Sequence, residues 1–145
     1  MPIGVARGAL DAQKGFSFAI SVASANANLR TLANTAGYSG AGNATITINS
    51  GVDMYSTTTG TAALVPGSWP SGVTVTLVNK GTVSGAGGNG GTGDTYTGSG
   101  GTKTAGGAGG TALDASAVSG FTFKVDNGSG TLRGGGGGEI GRAHV

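Results

Sequence analysis

The chain has 145 residues, including 33 glycines, three prolines and no cysteine, which leaves room for one small domain and excludes disulfides and thiolate metal sites. Its net charge of +2 comes from eight basic and six acidic residues, too thinly spread to neutralise a row of phosphates, so no nucleic-acid partner is expected. No apolar run approaches the ~20 residues that span a bilayer, and the mildly apolar stretch from Gly15 to Ala27 lacks the order of a signal peptide, so no membrane insertion is expected.

Phe16, Phe18, Ile20 and Val22 alternate with small or polar neighbours, the pattern of a half-buried strand. A short helix is predicted next, with Asn26 as its cap, Leu29, Leu32, Ala33 and Ala36 on one face and Gly37 at its end. Ala44–Asn49 and Val73–Val78 alternate strictly, and Phe121–Val125 repeats the pattern. Each of these strands runs into an Asn- or Asp-containing turn closed by glycine: Asn49-Ser50-Gly51, Asn79-Lys80-Gly81 and Asp126-Asn127-Gly128. The last two copies also align beyond the turn, Val78 with Val125 and Thr82 with Thr131, before a glycine run follows. That weak repeat points to stacked strand-turn units.

Glycine runs at 85–93, 98–101, 106–110 and 134–138 bury almost no side-chain surface and are costly to order. They either stay flexible or form extended helices with three residues per turn, packed closely enough for backbones to hydrogen-bond sideways. Collagen is excluded, since there is no Gly-X-Y period. The predicted fold is mainly β: a lead-in strand over 1–25, a small helix-plus-β unit over 26–80 and a glycine-rich segment over 81–138. Residues 139–145 read as a translated sequencing adaptor, so the natural reading frame is expected to continue past Gly138.

Several motifs resemble those of a known family: Asn28-Leu29-Arg30, Ala36-Gly37-Tyr38, Thr47–Val52, Ser68-Trp69-Pro70, Val75–Gly81 and Gly85–Gly91. In this order and spacing, with Val125–Gly128 and the closing Gly134–Gly138, they resemble the glycine-rich module of tailed-bacteriophage tail-fibre proteins, the tip adhesins of T-even-like phages. The resemblance covers residues 26–138. It implies a virion protein in which glycine runs pack as polyglycine-II helices and the loops between them meet receptors on the bacterial outer surface. Other tail-fibre proteins are the second implied partner. Carried onto this chain, Gly85, Gly87, Gly88, Gly106, Gly107, Gly134, Gly135 and Gly136 are scaffold, and Asp94, Thr95, Tyr96, Lys103, Leu113 and Asp114 are receptor-contact candidates. The inter-glycine segments are short and poor in the aromatic and arginine anchors that binding surfaces usually carry.

No catalytic, metal or cofactor site is expected. Gly85–Gly90 satisfies G-x-G-x-x-G, but in so glycine-rich a segment the match carries little weight, and no βαβ frame surrounds it. Gly101-Thr102-Lys103-Thr104 lacks the glycine that precedes the lysine of a phosphate loop. Asp94 falls one place early for a calcium-binding β-helix repeat. The chain's one histidine, His144, and one glutamate, Glu139, both lie in the tail, which removes the usual proton-transfer partners. Trp69 is expected in the core rather than at a contact surface. A non-catalytic adhesin is therefore the leading expectation, and a glycine-rich extracellular structural protein or linker without a specific receptor is the alternative.

Overall fold

The computed structural model describes residues 15–92 and 104–138. The strands are β1 (Phe16–Ile20), β2 (Ser24–Ala25), β3 (Ala27–Asn28), β4 (Ala44–Ile48), β5 (Asp53–Tyr55), β6 (Leu64–Val65), β7 (Thr74–Asn79), β8 (Thr82–Ser84), β9 (Thr122–Asp126) and β10 (Thr131–Arg133), with one helix, α1 (Leu29–Thr35), between β3 and β4. Every strand pair is parallel. One sheet stacks β1-β4-β7-β9, a second stacks β2-β5-β8-β10, and a third pairs β3 with β6. The third is extended by a parallel bridge from Leu64 to Leu113. Successive turns of chain therefore lie on one another as rungs, and the three sheets form the faces of a parallel β-solenoid.

The alternation that marks β1, β4 and β7 in the sequence builds the interior. Phe18, Ile46, Leu77 and Val125 occupy one column along the axis. Met54, Val83 and Leu132 occupy another on the second face. Ile46, Leu77, Met54 and Val83 are completely buried, whereas Val125 and Leu132, on the last rung, are 42% and 39% exposed. A column is dry only where another rung covers it. The outward row of the first sheet is Ser17, Thr45, Thr76 and Lys124, so small hydroxyl side chains give way to a charge at the edge strand.

Two details differ from the sequence expectation. The last two strand-turn units stack with Leu77, not Val78, beside Val125: four residues lie between Asp126 and Thr131, and three between their partners Val78 and Thr82. The helix is capped by Asn28, whose Oδ1 accepts from the backbone N–H groups of Arg30 and Thr31 at 3.0 and 3.2 Å. Asn26 instead turns the chain between β2 and β3, with φ at 47°. Leu29 and Ala33 bury the inner face of α1, and Trp69 is buried as expected.

At the corner after β7 a buried amide replaces the aliphatic column of Ile20 and Ile48. Asn79 Nδ2 donates to Asn127 Oδ1 at 2.7 Å and to the Thr131 carbonyl at 3.0 Å, and its Oδ1 accepts from Gly81 N–H at 3.1 Å. Burying that amide is tolerable because these three bonds satisfy it.

The glycine runs leave the solenoid after β8 and after β10 and lie side by side. Gly110 N–H donates to Ala86 O at 2.7 Å and Gly107 N–H to Asn89 O at 2.8 Å, so the segments around 86–89 and 107–110 are antiparallel. Gly135 donates to Gly110 O at 2.8 Å and Gly138 to Gly107 O at 2.9 Å. Gly85 and Gly88 close the triangle by donating to Arg133 O and Gly136 O at 3.0 and 2.7 Å. Donors and acceptors recur every third residue in all three segments.

Candidate functional site

The sequence-based contact residues divide into two groups. Asp94, Thr95, Tyr96 and Lys103 lie outside the described residues. The residues flanking that segment are paired: Thr92 N–H donates to Thr104 Oγ1 at 2.9 Å, and the two hydroxyls are 2.6 Å apart. Leu113 and Asp114 fall within the described residues, on the third face of the solenoid. There Leu113 is partly buried against the core and bridged to Leu64, while Asp114 is exposed.

The parallel bridge puts Asp114 in step with Val65, which itself pairs with Asn28. Asp114 N–H donates to Leu64 O at 3.0 Å and so holds this register. Asn28, Val65 and Asp114 thus form an outward row along the axis, one from each rung. Pro66-Gly67-Ser68 follow the row in the chain after Val65, and Ala117-Val118 follow it after Asp114. Between them is a hollow of ≈ 230 Å³ whose walls are largely apolar. Asp114 is the one charged residue among those lining it.

Asp114 is held as a carboxylate. The Ser116 hydroxyl first, and then Ser116 N–H at 2.9 Å, donate to it and lower its pKa below the ordinary aspartate value, against a small opposing effect of desolvation. Gly67 sits close to Asn28 with φ at +78°, and a side chain there would strike Asn28 Oδ1 and Arg30 Cβ. The neighbouring cation, Arg30, is already engaged. Its Nε donates to Asn34 Oδ1 at 2.9 Å, one terminal nitrogen donates to Ser68 O at 3.2 Å, and its guanidinium lies 5.0 and 5.3 Å from the ring centres of Tyr38 and Trp69. Asn28, Ser68 and Pro66 were not singled out from the sequence as site residues. The Pro-Gly-Ser turn before Trp69 was the available sign of a corner there.

The scaffold glycines also divide. Added to Gly85, Gly88, Gly106 or Gly135, a Cβ would collide with a backbone carbonyl of the neighbouring segment, and the same holds at Gly91, Gly109 and Gly138. At Gly87, Gly107 and Gly134 the nearest atoms are 3.9, 3.4 and 3.6 Å away, and Gly136 has open space. The positions at which a Cβ would strike a carbonyl are three residues apart in each run.

Among the described residues no group of three or more His, Cys, Asp or Glu side chains could hold a metal ion, and no helix is long and apolar enough to cross a membrane. Fold and site together describe a short parallel ladder with exposed corners, beside glycine segments bonded to one another through their backbones. The chain belongs to the phage tail fibre adhesin Gp38 family, whose model matches residues 16–144. Neither a curated protein nor a solved structure matches it significantly.

Proposed function

We infer that this chain acts at the tip of a phage tail fibre, where it attaches the virion to a receptor on the bacterial outer surface without performing catalysis. Family membership over residues 16–144 carries this reading. The geometry supports a division of labour within it. Three glycine segments bonded at every third residue have the repeat of polyglycine-II helices, and we assign them the scaffold role, with Gly85, Gly88, Gly106 and Gly135 as positions that admit no side chain. Gly87, Gly107, Gly134 and Gly136 belong to the same runs at less crowded places.

Receptor contact falls to the residues between the runs. Asp94, Thr95, Tyr96 and Lys103 occupy the segment between Thr92 and Thr104, and seven residues of such a helix from Gly85 to Gly91 extend roughly 20 Å at ~3.1 Å per residue. Asp114 offers a second contact, with Leu113 supporting it from below. At the opposite end, β1, β2 and β3 are the edge strands of all three sheets, and Phe18, Ile20, Val22, Leu32 and Ala36 line a hollow of ≈ 280 Å³ beside them. Val22 is 73% exposed there. A rung that no other strand covers among the described residues, with an apolar groove beside it, is suited to stacking on another tail-fibre protein, the second partner.

The test is adsorption to host bacteria. Virions carrying the chain should adsorb, and exchanging residues 93–103 for a glycine-serine segment of equal length should reduce adsorption at least tenfold while the protein still folds. Unchanged adsorption after the exchange would remove those residues from the contact surface. A chain that never assembles onto fibres would instead favour the alternative, a structural protein without a receptor.

A further inference from the structure

We propose that the hollow beside Asp114 is a subsite for one primary-amine side chain, a receptor lysine, whose aliphatic stem lies between Val65, Pro66 and Val118 and whose ammonium meets the Asp114 carboxylate. The proposal rests on the adhesin reading and gives one of its contacts a chemical identity.

Size is the first argument. At ≈ 230 Å³ the hollow is smaller than the roughly 300–1,000 Å³ of sites for whole small ligands, so it suits one side chain better than a free metabolite. Its lining supplies the second. A long apolar stem ending in a compact charge is what a lysine presents, and the hollow offers apolar walls with a single opposite charge. A sugar ring of similar size would be expected to stack on an aromatic face, yet no aromatic residue lines the hollow. Trp69, nearest in sequence, is buried with its Nε1–H donated to Pro66 O at 2.7 Å.

Preorganisation is the third argument. Asp114 is fixed on both sides, by its own N–H bonded to Leu64 O and by Ser116 donating to its carboxylate. Among the described residues, no cation lines the hollow, and Arg30 on the first rung is held by Asn34, Ser68 O and two aromatic rings. The carboxylate is therefore open to an incoming charge.

The experiment uses the full chain, labelled with ¹⁵N, and Nα-acetyl-lysine methylamide as the probe. Saturable shifts of the amides of Gly67, Ser68 and Asp114–Val118 are expected. The Nε-acetylated counterpart, which has the same stem without the charge, should shift them only at concentrations about fivefold higher or more. Asp114→Asn should weaken probe binding about fivefold, the scale of losing one favourable exposed ion pair. Ala117→Trp, which fills the hollow and leaves the charge in place, should abolish binding. Equal response to both probes, no response, or saturation by glucose, galactose or N-acetylglucosamine in place of the lysine probe would overturn the proposal. The probe needs no bacterium, so its binding by a chain that fails to adsorb to cells would retain the subsite chemistry and reject the adhesin reading. Unchanged adsorption by Asp114→Asn and Ala117→Trp virions would reject the subsite's role in attachment alone.

Discussion

The rungs and the glycine runs solve the same problem in opposite ways. Both must satisfy the backbone hydrogen-bond groups of parallel or antiparallel extended segments. In the rungs, side chains such as Ile46, Leu77 and Met54 add buried apolar surface, so the ladder is held from within as well as by its hydrogen bonds. In the runs there is almost no side chain to bury, and stability must come from lateral bonds between backbones in close contact. The comparison teaches that glycine is used here as a spacing requirement: it recurs where a neighbouring carbonyl leaves no room for a methyl group, and Ala86, Asn89 and Ala108 stand at positions in between.

The largest effect should come from breaking the rungs. Ile46 is completely buried between Phe18 and Leu77, and Ile46→Ala should cost ~2–5 kcal/mol through lost transfer energy and the cavity left behind. Chemical denaturation should show the loss as a lower midpoint for the whole molecule. A drop confined to the rungs, with the glycine segment unchanged, would mean that the solenoid does not support it.

The opposite perturbation belongs in the runs. A methyl group at Gly135 would strike the Ala86 carbonyl, so Gly135→Ala should cost about 1–3 kcal/mol, as overpacking does. Hydrogen exchange should quicken at Gly88, Gly107, Gly110 and Gly138 while the amides of β4 and β7 stay protected. One residue along, Gly136 has open space, and Gly136→Ala should be neutral or stabilise by ~0.4–1 kcal/mol, since alanine restricts the unfolded chain. Similar losses at both positions would show that the three-residue spacing does not govern the packing.

Asn79 joins the two regions, because its amide ties the corner after β7 to Asn127 and Thr131, just ahead of the final glycine run. Asn79→Ala should cost about 1–3 kcal/mol, since Gly81 N–H and the Thr131 carbonyl lose a buried partner. Thermal unfolding would measure it, and the exchange of Gly135 and Gly138 should quicken as well.

How much of this was legible in the sequence follows from side-chain period. β1, β4, β7 and β9 announce themselves by alternation over five or six residues. β2, β3 and β6 have two residues each and β5, β8 and β10 three, too few for alternation to mark the second and third faces of the solenoid. Met54 and Leu64 are buried as deeply as Ile46, yet Met54 stands between Asp53 and Tyr55 and Leu64 between Ala63 and Val65, in strands of three and two residues. The glycine runs left two readings open, flexible chain or lateral packing, and which glycines are crowded depends on the offset between segments distant in sequence. The hollow was illegible for the same reason: Asn28, Val65 and Asp114 meet only because three rungs stack in register.

The smallest expected effect is also the most local. Because Ser116 donates to the Asp114 carboxylate, its pKa lies below the ordinary 3.8. Any stability that this contact contributes is therefore complete above the unfolded-state value and is lost as pH falls through the lower, folded-state value. Asp114 is fully exposed, so the contribution to global stability should be slight and the signal should be sought at the residue itself. A carbon-detected NMR titration should give Asp114 a midpoint below 3.8. Ser116→Ala should raise that midpoint only part of the way, removing the hydroxyl that dominates the shift while the backbone N–H bond at 2.9 Å remains. A full return to the ordinary value would mean that the turn itself had opened. The contact would then depend on a side chain, as the rungs do, and not on the backbone, as the glycine runs do.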